Sequence, residues 1–361
     1  MKKVIFISNN LNSTHDKTRI EEFVKYGADV EVYGYTRECD LGKIRESKFY
    51  TPHILGHIFP AYKSRISVYY KTLKHLRKEK KGLDCVYYLF GLDITAVFLF
   101  LGKNVKYVYE EADLVYTYMS NRIIRNIYKL IDRYSIGNSY LTVLTSEGFI
   151  RYHFGDKVPN NVVLVTNRLN ESVVEVEYQP KIMASKQSVT YGFVGVPRFK
   201  TIHNFIEVFC RNFPNKEFHV FGAPITEEFE DLRKYNNCIF HGRFSSPIDL
   251  PKIYASIDLV LSTYDSDYEN VRFAEPNKLY ESIYFETPII VSTNTFLEEK
   301  VKRMGIGFSL DAINENEIIE FVKKTTQMEV LKCIEQIRTI DKGECINKNN
   351  YFIDRVLNAS C

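Results

Sequence analysis

The run Glu275-Pro276-Asn277-Lys278-Leu279-Tyr280-Glu281 has residue types and spacing that can hold a phosphate and a vicinal diol side by side. Proline is favoured at the first position of a helix, which puts a helix start at Pro276. The free backbone N–H groups that follow, with the helix dipole behind them, make that end attractive to an anion. Lys278 adds a full positive charge there. Glu281 falls one turn further along on a similar face, where its carboxylate can accept two hydrogen bonds from a ribose diol. The same residues also fit a capped surface helix with a Lys278–Glu281 pair, and the local pattern leaves both readings open.

The elements around this run are those of an α/β protein. Short β-branched or aromatic stretches at 4–8, 30–35, 85–89, 105–109, 141–144 and 162–165 read as buried parallel strands. Amphipathic segments at 17–26, 68–80, 93–101, 120–136 and 147–154 lie between them, so the strands are joined by right-handed βαβ crossovers. Helix signals at Asp16 and Gly27 bracket the first helix. Residues 171–188 lose the periodicity and read as a linker. The alternation then restarts, with strands at 189–194, 217–221, 238–241, 259–262 and 288–292 and helices at 203–211, 227–235, 250–255 and 276–285. The expected organisation is a first doubly wound domain over 1–170, a second over 189–343, and a helical tail over 344–361 that crosses back to the first. Ligands of open parallel sheets bind at the carboxyl edge of the strands, so a site between two such edges is expected.

Composition narrows the classes further. At 361 residues the chain is too long for one ordinary core, and its formal charge of +3 gives no reason to expect a nucleic-acid partner. The seven cysteines (Cys39, Cys85, Cys210, Cys238, Cys333, Cys345 and Cys361) are scattered, with no CxxC spacing, and read as reduced thiols of a cytoplasmic protein. Asp265-Ser266-Asp267 has the letters of a metal motif but reads as part of a loop, and no metal or cofactor is expected. The apolar run at residues 4–7 is too short for a signal peptide and 94–102 too short to span a bilayer. Lys71, Lys74, Arg77, Lys78, Lys80 and Lys81 alternate with Tyr69, Tyr70, Leu73 and Leu76, so helix 68–81 is basic and amphipathic. It fits either a solvated face packed on its own domain or contact with the inner face of the cell membrane.

The run from Ala274 to Glu281, followed by Thr287-Pro288-Ile289-Ile290-Val291-Ser292, resembles the donor-binding segment of bacterial retaining glycosyltransferases of the GT-B fold, the large family of capsule and lipopolysaccharide enzymes. Tyr191-Gly192-Phe193-Val194-Gly195 is similar to the strand and glycine turn that open that family's second domain, and Ile239-Phe240-His241-Gly242 to a later strand. The resemblance implies two Rossmann-like domains facing each other across a cleft. It implies a nucleotide-diphosphate sugar as donor and a saccharide or lipid-linked saccharide as acceptor, with retention of configuration. Glu281 would bind the donor ribose, and Gly195, Asn277, Lys278 and the backbone at Leu279 would contact the diphosphate or sugar. Glu275 would reach a sugar hydroxyl, although relatives carry a glutamate eight positions before the second, where this chain has Phe273. Arg198 and Lys200 stand for the basic pair that stabilises the leaving diphosphate.

In the first domain, the loop from Asn9 to His15 follows the first strand on the acceptor side. Asn9 and Asn10 tolerate the unusual backbone angles such a loop requires, Asp16 caps the next helix, and Arg19 points to the cleft. The run Tyr109-Glu110-Glu111-Ala112-Asp113-Leu114 resembles one that holds a histidine beside the transferred sugar; Ala112 stands in that place, leaving Glu110, Glu111 and Asp113 at the strand end. Two further readings stay open: a nucleotide-sugar epimerase of the same fold, and a non-catalytic protein that binds sugar nucleotides.

Overall fold

The computed structural model describes residues 2–37, 44, 47–58, 62–102, 105–178, 180 and 188–359. Residues 179 and 181–187 of the expected linker, and also Cys39 and Cys361, lie outside the described residues. Two compact units form, one from 1–166 with 348–361 and the other from 167–347. Among the described residues no helix is long and apolar enough to cross a membrane.

Unit 1 is a parallel sheet of seven strands: β1 (Lys3–Ser8), β2 (Val30–Arg37), β3 (His53–Ile58), β4 (Cys85–Phe90), β5 (Tyr107–Glu111), β6 (Leu141–Leu144) and β7 (Val162–Leu164). Their order across the sheet is β3-β2-β1-β4-β5-β6-β7. Helices α1 (Thr14–Lys25), α2 (Tyr62–Glu79), α3 (Leu92–Phe100), α4 (Arg122–Asn138) and α5 (Glu147–Phe154) connect them. The inner strands are apolar on both faces because helices cover both. The edge strand β3 is largely exposed, and its His-Ile-Leu-Gly-His-Ile sequence has no period-two alternation to mark it as a strand. Phe6, Phe23, Tyr88 and Phe90 form an aromatic core, onto which Phe352 of the tail folds 5.7 Å from Phe23.

The first helix begins at Thr14, not near Lys17. Ser13 is its N-cap and accepts from the Asp16 N–H. Asp16 therefore sits in the first turn rather than at the cap, and its buried carboxylate accepts from the hydroxyls of Ser8 and Ser13 at 2.6 and 2.7 Å. Asn10 shapes the preceding loop through its side chain, which accepts from the Asn12 N–H. Neither Asn9 nor Asn10 has a positive φ; the described non-glycine residues that do are Glu286 and Asn294.

Strand β5 ends two residues later than its apolar letters suggest, which brings Glu110 and Glu111 into the strand, each 1% exposed. Alternation along a strand sends neighbours to opposite faces. Glu110 faces α1, where Arg19 and His15 bond to it, and the Tyr88 hydroxyl of β4 donates to it as well. Burial alone would raise the Glu110 pKa, but Arg19 and His15 bring it down to about 2. Arg19, expected to point to the cleft, is 4% exposed, also bonds Glu22 at 2.7 Å and packs over the Phe352 ring, so it joins helix to sheet. Glu111 faces α4 and α5, with His153 Nε2 at 2.8 Å and Asp132 beside both. These three groups lie within 4.8 Å of one another, a spacing an ion could bridge. Their burial describes them equally well as a cluster sharing a proton. It pushes Asp132 up to about 8, raises Glu111 and lowers His153.

Unit 2 carries a six-stranded parallel sheet and its helices: β8 (Tyr191–Val194), α6 (Lys200–Asn212), β9 (Phe218–Phe221), α7 (Glu227–Glu230), β10 (Cys238–Gly242), α8 (Leu250–Ser256), β11 (Leu259–Ser262), α9 (Glu269–Phe273), α10 (Asn277–Tyr284), β12 (Ile289–Ser292), α11 (Phe296–Met304), β13 (Gly307–Leu310), α12 (Glu315–Lys324) and α13 (Gln327–Arg338). The order β10-β9-β8-β11-β12-β13 reverses direction between β8 and β11. The tail helix α14 (Asn350–Leu357) packs in unit 1 through Phe352, Ile353 and Val356. Next to β8, Gly195 has φ +128 and Gly222 φ +147. A Cβ on Gly222 would lie 1.9 Å from the Gly195 carbonyl oxygen, so the two turns touch backbone to backbone.

Two outcomes follow from these contacts. Gly222→Ala must move one of the two turns and strain a positive φ, and urea denaturation should show unit 2 weakened by about 1–3 kcal/mol; an unchanged midpoint would contradict the close approach. Asp132 holds its proton more tightly folded than unfolded, so its contribution is intact at low pH and lost as pH rises from its ordinary 3.8 toward 8. The melting temperature of the wild type should therefore fall relative to that of Asp132→Asn between about pH 5 and 8, read by differential scanning fluorimetry. Parallel profiles would show that Asp132 is not the titrating group.

Candidate functional site

The reversal between β8 and β11 is where an open parallel sheet leaves a crevice at its carboxyl edge. Three segments meet there: the Gly195 turn, the loop after β11, and the start of α10. Helix α10 begins at Asn277 with Pro276 as its N-cap, one residue later than the proline rule gives, and no side chain caps it. The N–H of Leu279 bonds to the Pro276 carbonyl at 3.1 Å, which leaves those of Asn277 and Lys278 as the donors of the helix end. Leu279 itself is fully buried, and Asn277 is exposed.

The Lys278 ammonium stands over the Gly195 turn, 3.2 Å from where a Gly195 Cβ would be. It lies 4.8 Å from the centre of the Phe193 ring and donates to the Tyr264 hydroxyl at 3.2 Å. Aromatic faces and one neutral oxygen hold it without cancelling its charge. Glu281, one turn along, accepts from the Tyr254 hydroxyl at 2.6 Å through one carboxylate oxygen. Burial raises the Glu281 pKa, while Tyr254 and Lys278 oppose the rise. Tyr254 is fully buried on α8 and was not singled out from the sequence; nothing in a lone tyrosine marks it as the partner of a glutamate 27 residues away.

Glu275 is 2% exposed, and its carboxylate accepts from Lys300 at 2.8 Å and from the Tyr280 hydroxyl at 3.0 Å. Its carbonyl accepts from Asn167 at 3.3 Å. These bonds anchor the segment that leads into α10. Arg198 and Lys200 are exposed beyond the Gly195 turn, and neither has an ion-pair partner among the described residues. Asp265, half of the apparent metal motif, accepts from the backbone N–H groups of Lys200 and Thr201 and so caps the start of α6.

In unit 1 the corresponding reversal falls between β1 and β4. Asn9 bonds Asp93 there at 3.2 Å, and Tyr69 donates to the same carboxylate. His15 stands at this edge with a partly exposed ring, its Nε2 2.7 Å from Glu110 Oε1. Burial works against its protonation, but Glu110 overrides this and its pKa is raised. The histidine at this edge is thus His15, from α1, and not one at the position of Ala112 on the β5 side. Asp113 is exposed in the loop after β5.

The basic helix expected at 68–81 turns Tyr69, Leu73 and Leu76 into its own core. Arg77 donates to the carbonyls of Phe98 and Gly102, and Lys80 pairs with Glu31 and Glu79, while Lys71, Lys74 and Lys78 remain exposed.

No protein-family model matches the chain, and no curated protein matches it. Solved structures do. Anabaena HepE in complex with UDP and glucose superposes with a TM-score of 0.69 at 12% identity, covering 100% of both chains. Sucrose-phosphate synthase from Thermosynechococcus elongatus gives 0.66 at 12% identity, over 95% of this chain and 96% of that one. The apo form of the lipopolysaccharide outer core galactosyltransferase WaaB gives 0.63 at 13% identity, over 99% and 98%. With both sheets and the whole chain matched, the fold is GT-B.

Proposed function

We propose that the chain is a glycosyltransferase moving a sugar from a nucleotide-diphosphate sugar to a saccharide or lipid-linked saccharide acceptor in surface polysaccharide synthesis, with retention of configuration and without a metal. The observation that carries this reading is the convergence of the Lys278 ammonium, the Gly195 turn and the start of α10 on one sheet reversal, with Glu281 a turn away. HepE, of the same fold, has been crystallised with UDP-glucose.

When the bond between the anomeric carbon and the diphosphate breaks, negative charge grows on the departing phosphate. Lys278, Arg198 and Lys200, with the Asn277 and Lys278 N–H groups, supply the fixed positive charge that step needs. Glu281 accepts from the ribose hydroxyls through the oxygen that Tyr254 leaves open. Glu275 acts as an anchor, holding the approach to α10 through Lys300 and Tyr280. On the acceptor side the groups are Asn10, His15 and Asp113, with Glu110 and Arg19 fixing His15 from below and Asp16 fixing the loop. The reaction takes place on the cytoplasmic side, where sugar nucleotides are made.

Incubation with radiolabelled UDP, GDP, CMP and dTDP sugars and separation of the products tests this. Labelled acceptor supports transfer, epimerised free donor supports an epimerase, and nucleotide binding with no turnover supports a binding protein. Lys278→Ala should lower transfer by about 100-fold or more at unchanged melting temperature. Glu281→Gln should raise donor KM by roughly tenfold, and Tyr254→Phe by a smaller factor in the same direction, since a hydrogen bond to a charged group is lost. Wild-type rates in both Lys278→Ala and Glu281→Gln would remove the proposed donor site.

A further inference from the structure

Helix α4 is turned the wrong way round for a helix packed on a sheet. Its fully buried side chains include Asp132 and Ser135, while Ile123 is 72% exposed, Leu130 65% and Ile127 50%. Ile124 and Tyr134 are also exposed. Residues 123, 127, 130 and 134 follow the spacing of one helical face, so the exposed side chains form a stripe along the helix. Val115 and Tyr118, from the short turn that packs against α4, are exposed beside it. Surface apolar residues are common singly, but a contiguous stripe of this kind marks a contact surface.

The charges name the occupant. Arg122, Arg125, Lys129 and Arg133 lie on α4, and the single acid of the helix, Asp132, is completely buried. Arg122, Arg125 and Arg133 have no ion-pair partner among the described residues, and Lys129 donates to the Tyr152 hydroxyl. The exposed surface of the helix is therefore apolar and cationic with no negative charge. Helices α2, α3 and α4 pack in succession, and the first two add exposed Lys71, Lys74 and Lys78 and the 81%-exposed ring of Phe100. On α4 itself every exposed charge is a base, and the nearest exposed acids are Asp113, two residues before Val115, and Glu79 of α2, which pairs with Lys80. An apolar stripe on so basic a helix fits the interface of an anionic lipid bilayer, where the apolar side chains enter the acyl boundary and the bases meet the headgroups.

We infer that α4 is a membrane-docking helix that lies in the plane of an anionic bilayer and inserts Ile123, Ile127 and Leu130. This goes beyond the transferase reading and does not depend on it, because the contact needs neither donor nor acceptor. It also moves the membrane contact from helix 68–81, whose apolar stripe is buried, to a helix whose stripe is exposed.

Flotation of the full chain with vesicles tests it. The chain should float with phosphatidylcholine vesicles containing about one third phosphatidylglycerol and not with phosphatidylcholine alone. Binding should weaken sharply near 0.5 M NaCl, roughly where screening shortens electrostatic reach to a few ångströms. The Ile123→Ser/Leu130→Ser variant should lose at least about tenfold in vesicle affinity at unchanged melting temperature, as should Arg122→Gln/Arg125→Gln/Arg133→Gln. Absence of binding to anionic vesicles, or wild-type binding by the serine variant, overturns the inference. If Lys71→Gln/Lys74→Gln/Lys78→Gln abolishes binding while the serine variant keeps it, the contact belongs to α2 and the inference is likewise wrong. Self-association in sedimentation velocity that the serine variant loses, without vesicle binding, would assign the stripe to a second copy of the chain and also overturn it.

Discussion

The Gly195 carbonyl occupies the place where a side chain on Gly222 would stand, and the proposed donor site is organised around that contact. Because the two turns meet backbone to backbone, the loop after β8 is drawn in beside β9, and the crevice at the sheet reversal stays open for Lys278 to reach across. Among the described residues no carboxylate forms an ion pair with this cation, and Glu281, one turn along, acts on it only at longer range. Phe193 and Tyr264 hold the ammonium by their faces and one hydroxyl, so its charge is available to a ligand. Tyr254 does the complementary work on Glu281, fixing one oxygen and leaving the other. The site is thus positioned by aromatic groups and backbone more than by ion pairs.

Unit 1 solves a different problem with the same alternation rule. Two consecutive glutamates end β5 inside the protein, and period-two geometry sends them to opposite faces. Glu110 is compensated by Arg19 and His15 and stays ionised. Glu111 meets Asp132 and His153 instead, and burial there favours protons over charge. One face is held by charge pairing, the other by shared protons, and removing a partner from either would strand a buried group.

Much of this was legible beforehand. The doubly wound pattern was plain because parallel strands covered on both sides are written as continuous apolar runs. The 275–281 run was readable because helix-start chemistry is local. What the sequence hid was non-local or turned inward. Glu275 looks like a ligand by type, yet Lys300 and Tyr280 claim it from later in the chain. Arg19 reads as an acceptor-side residue pointing to the cleft, yet Glu110, 91 residues away, holds it buried. Asp16 has the residue type of a cap, but Ser13, three residues earlier, takes that place. Tyr254 and His15 carried no signal, since their partners come from distant elements. The orientation of α4 is hidden for the same reason: its period marks an apolar stripe, but which face meets the sheet is decided by Asp132 and its partners on other elements.

The central claim is that a sugar nucleotide sits against the Gly195 turn and the first turn of α10. Hydrogen–deuterium exchange of the full chain with and without saturating donor tests it directly. Protection should concentrate at the amides of Val196, Arg198 and Phe199 and of Asn277 and Lys278, and Lys278→Ala should abolish it. Binding accompanied by protection elsewhere, with these amides unchanged, would contradict the account.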